Sequence, residues 1–198
     1  MRFTKSLLLG VVAAAGTIQA KAEPSPELLD LAARVHYGYY HGEARAIETA
    51  QAALERLPDS PEVFYYRDFA AFRRAQLGAV ARVDLERLSA CARRTVPAGV
   101  PKGVKADAWV LVAACGLLAG DERRREEALA LARQHDDDNP RITLVEAWTV
   151  ERAGQGDAEQ RAAYAAKLVA AVEAFDAWTP SIADPDWGYA ETLTGLEA

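Results

Sequence analysis

The clearest structural signal in this chain lies in residues 26–58, PELLDLAARVHYGYYHGEARAIETAQAALERLP. On both sides of Gly42, apolar residues recur every three or four positions, as they do on one face of a helix. A Pro at the first helical position and a Gly just after the last one are typical helix boundaries. The stretch therefore predicts two helices, residues 26–41 and 43–57, joined at Gly42.

The same arrangement recurs along the chain at intervals of about 40 residues, the period of stacked helix pairs, marked by Pro58, Pro97, Pro140 and Pro180. Residues 108–120 are almost entirely apolar, which predicts a helix buried nearly all round. No segment alternates with period two for the length of a strand, and Ala, the strongest helix former, is abundant. The prediction is one all-α domain: a short right-handed solenoid of about four antiparallel helix pairs with a C-terminal capping helix.

Residues 1–22 have the features of a secretory signal peptide. Arg2 and Lys5 precede a mostly apolar run, and Ala20-Lys21-Ala22 provides a small-x-small cleavage site. A helix needs about 20 apolar residues to cross a bilayer, and this run is shorter. We expect cleavage after Ala22 and a periplasmic or secreted helical-repeat domain, residues 23–198. A retained N-terminal anchor is the alternative.

Charge and cysteine content restrict the partners and the compartment. The chain has a net charge of −6, and loss of the basic signal makes the mature domain more acidic. Phosphate backbones and anionic lipids repel such a domain, so we expect no nucleic-acid partner and no stable membrane insertion after signal removal. Outside the cell, Cys91 and Cys115 could form one disulfide; the alternative is two buried thiols.

Motifs for catalysis or metal binding are scarce. The sequence contains no P-loop, dinucleotide-binding Gly motif, His-Glu-x-x-His or Gly-x-Ser-x-Gly. His36 and His41 are five positions apart and share a helix face poorly. The acidic run at residues 136–139 lacks the alternating ligands of a calcium loop, and its Asn139 is expected to cap a helix. We expect no enzymatic activity, no cofactor and no metal site.

Aromatic residues are concentrated in the first helices of the first two pairs, which should be neighbours on the concave surface of a stack. Tyr37 and Phe69 are expected in the core, and Trp187 is expected to cover the last pair. Tyr and Arg are enriched at binding hot spots. The predicted partner-binding surface comprises Tyr40, His41, Tyr66, Arg67 and Arg73. The alternative is that these aromatic residues only fill the core between the two pairs.

Helix pairs of this size resemble tetratricopeptide repeats, whose unit has about 34 residues. If Pro58 is aligned with the Pro that closes that unit, Tyr37 takes the family's aromatic position, and Ala46 and Ala53 take its two small positions. Arg34 departs from the family because it stands at a small-residue position, and the longer units do not keep the register. The resemblance implies an exported interaction or scaffold module that binds a peptide or protein segment in its concave face.

A second resemblance rests on Asn139-Pro140-Arg141, on a helix ending at Phe175, and on Pro185-Asp186-Trp187-Gly188. These segments are similar to exported tetratricopeptide-like relatives of the T component of TRAP-type periplasmic transport systems. That family is longer than this chain and often lipid-anchored. The resemblance implies the alternative function, a small-ligand-binding accessory subunit of a periplasmic solute-uptake system.

Overall fold

The computed structural model describes residues 24–78, 82–97, 100, 102–153, 158–179 and 187–197. Within these ranges every regular element is an α-helix, so the all-α prediction is confirmed for the described part of the chain. The predicted signal peptide lies outside the described residues. The helices are α1 (Pro26–Tyr40), α2 (Ala44–Leu54), α3 (Pro61–Gln76), α4 (Arg82–Ala92), α5 (Lys102–Ala119), α6 (Glu122–His135), α7 (Pro140–Ala153), α8 (Ala158–Ala177) and α9 (Tyr189–Glu197).

Polar side chains cap the first turns of several of these helices, and the cap at Asn139 was predicted from the sequence. The hydroxyl of Ser60 accepts a hydrogen bond from a backbone N–H of the first turn of α3, and Asp121 does the same for α6. Asn139 caps α7 by accepting from the N–H of Arg141 at 3.1 Å. Each of these caps satisfies a donor that has no partner inside its own helix.

The helices pack in chain order, and a second set of contacts joins alternate helices. Each helix from α1 to α8 contacts the next one, and α8 contacts α9. In addition, α1 contacts α3, α3 contacts α5, and α5 contacts α7. Helices α3 and α5 therefore have neighbours on several sides and form the centre of the core.

Helix α5 has the burial that its uninterrupted apolar sequence predicted. Every residue from Trp109 to Leu117 is buried. A Cβ at Gly116 would lie 3.2 Å from the backbone nitrogen of Arg125, so glycine allows α5 and α6 to approach closely. Within the described residues, no helix combines the length and apolar content that a membrane crossing requires.

In α4 two large apolar side chains face outward. Val83 and Leu85 are 47% and 49% exposed. Asp84 is buried instead, with a carboxylate oxygen 3.5 Å from Nε of Arg74. An ion pair to the neighbouring α3 therefore offsets the cost of burying this charge.

A disulfide joins α4 to α5. Cys91 and Cys115 are both fully buried, with Cα atoms 6.0 Å apart and a sequence separation of 24. Of the two alternatives that the sequence left open, the structure contains the bridge. It fixes α4 against the central helix of the core.

Replacing both Cys91 and Cys115 with Ala should lower the free energy of unfolding by about 3 kcal/mol, because the denatured chain regains the entropy that the closed loop withholds. Urea titration followed by circular dichroism measures this difference. Reduction of the wild-type protein should give a similar loss. A loss below about 1 kcal/mol in both experiments would contradict the prediction.

Candidate functional site

The five residues predicted to bind a partner do not form one surface. Tyr40 is 51% exposed and His41 is also exposed, both at the end of α1. Tyr66, however, is 4% exposed, and Arg73 has no exposed surface. The expected exposure of Tyr66 is therefore wrong, because α3 is contacted by helices α1, α2, α4 and α5.

The expectation for Tyr37 is also wrong, because this ring is 52% exposed and lies outside the core. It packs beside the imidazole of His41, with ring centroids 4.3 Å apart. Phe69, in contrast, is fully buried as predicted.

Arg67 supports the connection between α2 and α3. Its guanidinium donates at 3.0 Å to the carbonyl of Leu54 and at 2.8 Å to the carbonyl of Leu57. It also donates to the carboxylate of Asp59 at 2.8 Å. These bonds satisfy the carbonyls at the end of α2 and engage most of the donors that a ligand would use.

Arg73 is the cation of a buried ion pair with the C-terminal helix. Its Nη2 lies 2.5 Å from Oε1 of Glu191, and its Nη1 donates to the side chain of Gln76 at 2.9 Å. The guanidinium carbon stacks 3.9 Å from the centroid of the Tyr39 ring. Burial raises the pKa of Tyr39, and the positive charge of Arg73 offsets this rise only in part.

Trp187 lies in the interior rather than over the outer edge of the last pair, so its predicted position is wrong. The indole is 1% exposed and its centroid is 5.7 Å from that of Phe72 and 6.5 Å from that of Trp148. The contact with Trp148 is the expected one with the last pair, whereas the contact with Phe72 of α3 was not expected. The N–H of Trp187 donates to the hydroxyl of Tyr65 at 3.0 Å, so the segment before α9 reaches α3.

A buried polar chain holds the backbone at Trp187. Oδ1 of Asp107 in α5 accepts from the Asn139 amide at 2.8 Å and from Nη1 of Arg141 at 2.6 Å. Nε of Arg141 donates to the carbonyl of Trp187 at 3.0 Å. The sequence predicted the capping role of Asn139 but gave no sign that Asp107 and Arg141 act together, since they lie 34 positions apart.

An open cleft of about 1010 Å³ lies beside this packed region. It separates the ends of α1 and α3 from α7, α8 and α9. Of the five predicted residues, Tyr40 lines it and the other four do not. Its lining includes residues of α9 and the side chains of Tyr39, Tyr40, Trp148, Glu151, Arg161 and Tyr164.

The cleft combines aromatic faces with side chains of both charges. Arg161 and Tyr164 come from α8, more than 100 positions after Tyr40 in the sequence. Nothing local in α8 marks them as a site, because their proximity to α1 arises only from the packing of the whole chain. Within the described ranges, no group of His, Cys, Asp and Glu is arranged to hold a metal ion.

A second cavity, of about 200 Å³, lies between α3 and α5. Phe64 and Val112 are among its mostly apolar lining residues, and the ion pair between Asp68 and Arg94 borders it. Both Asp68 oxygens accept from Arg94, at 2.7 and 2.8 Å. Burial raises the pKa of Asp68, and the pairing with Arg94 offsets this rise only in part. The cavity is small, and its polar groups already bind each other.

The contrast in burial between Tyr66 and Tyr40 predicts different effects of truncation. Tyr66→Ala should lower the free energy of unfolding by about 3–5 kcal/mol, because it leaves a cavity beside the central helix. Tyr40→Ala should change it by less than about 1 kcal/mol, because half of the ring is already exposed. Urea unfolding of the two variants tests this. Equal losses would mean that Tyr40 belongs to the core.

Comparison with protein-family models, with curated proteins and with solved structures gives no match for this chain. The resemblances to tetratricopeptide repeats and to the T component therefore stay predictions from the sequence. A functional assignment has to be argued from the cleft itself, from its charges, its aromatic walls and the helices that form it.

Proposed function

We propose that this chain is an exported, non-enzymatic interaction module that binds a peptide or protein segment. In this proposal the helices form a short right-handed, tetratricopeptide-like solenoid of antiparallel pairs. Support comes from the contacts of α1 with α3, of α3 with α5 and of α5 with α7, which place the first helices of successive pairs side by side. These first helices would line the concave face.

The observation that carries the proposal is the open aromatic cleft of about 1010 Å³. Tyr40 is half exposed and lies at the cleft, so a ligand can cover its ring without unfolding the protein. Rigid aromatic side chains provide contact area at low entropic cost, and Arg161 and Glu151 add charge of both signs. Such a wall suits a polypeptide with mixed side chains.

Export of the protein is part of the proposal. The predicted signal peptide at residues 1–22 favours it, and so does the buried disulfide between Cys91 and Cys115. Disulfides persist in oxidising compartments and are rare in the cytosol of most organisms. Both observations support a periplasmic or secreted location.

The alternative is a small-ligand-binding accessory subunit of a solute-uptake system. The cleft volume favours this candidate, because small-molecule sites extend to about 1,000 Å³. The two candidates differ in the ligand that Tyr40 would contact. A peptide would extend along the cleft, whereas a small molecule would be enclosed by its aromatic walls.

Selection from a displayed peptide library tests the proposal. We expect enriched peptides to lose at least about tenfold in affinity for Tyr40→Ala, because a binding anchor is removed. The matched control is Tyr37→Ala on the same helix, which is equally exposed but does not line the cleft. Isothermal titration of the three proteins measures the difference.

The opposite results would exclude the main proposal. No enrichment by a folded protein, or enriched peptides that bind Tyr40→Ala as well as wild type, would contradict peptide binding in this cleft. A metabolite that raises the Tm of wild type, but not that of Tyr40→Ala, would then favour the small-ligand alternative.

A further inference from the structure

The C-terminal segment, residues 187–197, packs between α3 and α7 as a bound peptide would. We call this surface of α3 and α7 the inner face. Trp187 inserts an aromatic side chain among Phe72 and Trp148, and its N–H finds an acceptor on Tyr65. A large aromatic anchor in a buried pocket with one directional hydrogen bond is the usual form of a binding hot spot. The segment belongs to the same chain, yet its ring packing and its hydrogen bond are of the kind that a bound peptide makes.

The remainder of the array presents a buried cation to this segment. Among the described residues, the carboxylate that pairs with Arg73 is that of Glu191 in α9. The guanidinium also donates to the Gln76 amide oxygen, stacks on the ring of Tyr39, and is surrounded by further aromatic rings. Without an acidic occupant, Arg73 would be a buried charge with no opposite charge beside it, which is strongly unfavourable. The inner face therefore requires a carboxylate at this position.

The local fold of the segment brings its two anchors, the Trp187 ring and the Glu191 carboxylate, onto the same side. Oε2 of Glu191 accepts from the backbone N–H of Gly188 at 2.8 Å, while its Oε1 faces Arg73. Gly188 has a φ of 106°, a conformation that favours glycine. The opposite face of α9 leaves Tyr189, Leu193 and Leu196 between 38% and 39% exposed. The tryptophan, the turn and the carboxylate thus form one short recognition element.

We propose that the inner face between α3 and α7 recognises a partner segment that carries a tryptophan followed four residues later by a carboxylate. In this structure the chain's own residues 187–197 fill that site, and a partner segment binds by exchanging with them. This site, around Trp187 and Arg73, is not the open cleft at Tyr40, so the inference adds a second binding site to the proposed function. An occupant lacking the acid is rejected because it leaves Arg73 unpaired.

Exchange is opposed by the covalent connection of the segment to the array. An attached segment competes at an effective concentration in the millimolar range, so a free peptide binds wild type weakly. Weakening the attached segment removes part of this competition and raises the affinity for the free peptide by the same factor. This relation makes the exchange measurable.

The experiment measures fluorescence anisotropy of a labelled peptide with the sequence of residues 187–197 on full-chain proteins. The Glu191→Gln variant should bind it about tenfold more tightly than wild type, and the matched surface variant Glu86→Gln should bind like wild type. A peptide with Gln at its fifth position, which corresponds to Glu191, should not show this tenfold increase in affinity. Glu86 is a suitable control because it forms an exposed ion pair within α4.

A second variant keeps both anchors in place and guards against a loss of folding. A Cβ at residue 188 would lie 2.6 Å from Cζ of Phe175, so Gly188→Ala should loosen the segment while Glu191 stays available. The Gly188→Ala protein should also bind the peptide more tightly than wild type. Hydrogen exchange adds a direct readout: excess peptide should reduce the protection of α9 amides and leave α5 amides unchanged.

Three results would overturn the proposal. In the first, circular dichroism and cooperative melting show that both variants fold, but each variant binds the peptide of residues 187–197 no more tightly than it binds the peptide with Gln at the fifth position. The second is that both variants unfold, since the segment would then be an inseparable part of the core. The third is a concentration-dependent dimer in place of peptide binding, which would assign the site to a second copy. If library peptides still depend on Tyr40, the proposed function survives each of these results.

Discussion

The burial of the Trp187 indole is the interaction on which the rest of the arrangement depends. One ring brings α3, α7 and the C-terminal segment together, because Phe72, Trp148 and the hydroxyl of Tyr65 all contact it. Large aromatic side chains contribute the greatest apolar area per residue to a core. A single tryptophan therefore fills the space between α3 and α7, and the open cleft lies beside α9.

Two buried arginines lie next to this ring, and each depends on an element distant in sequence. Arg141 is paired with Asp107 of α5, and Arg73 is paired with Glu191 of α9. Such pairs add little net stability, because the desolvation of both charges offsets their attraction. Their effect is on specificity, since any packing that separates the partners leaves a charge buried alone. The pairs thereby select one arrangement of the inner face.

Sequence reasoning identified a small part of the candidate site, and the cause of the errors is physical. Of the residues predicted to bind a partner, Tyr40 lines the cleft, whereas Tyr66 and Arg73 are buried. Helical periodicity indicates which residues share a face, and it does not indicate how many neighbours cover that helix. Helix α3 is covered on several sides, so it absorbs more aromatic side chains than one apolar stripe would. Arg161 and Tyr164 of the cleft were missed because nothing near them in α8 distinguishes them.

The features that the sequence determined by itself are local ones. The helical class, the caps at Ser60 and Asn139, and the burial of α5 depend on residues within a few positions of each other. The tertiary structure decided which helix faces are covered, that the two cysteines form a bridge, and where Trp187 lies. Trp187 and Tyr65 are 122 positions apart. Backbone hydrogen bonding is satisfied inside each helix, whereas the burial of a side chain requires partners that only the packing of the whole chain brings close.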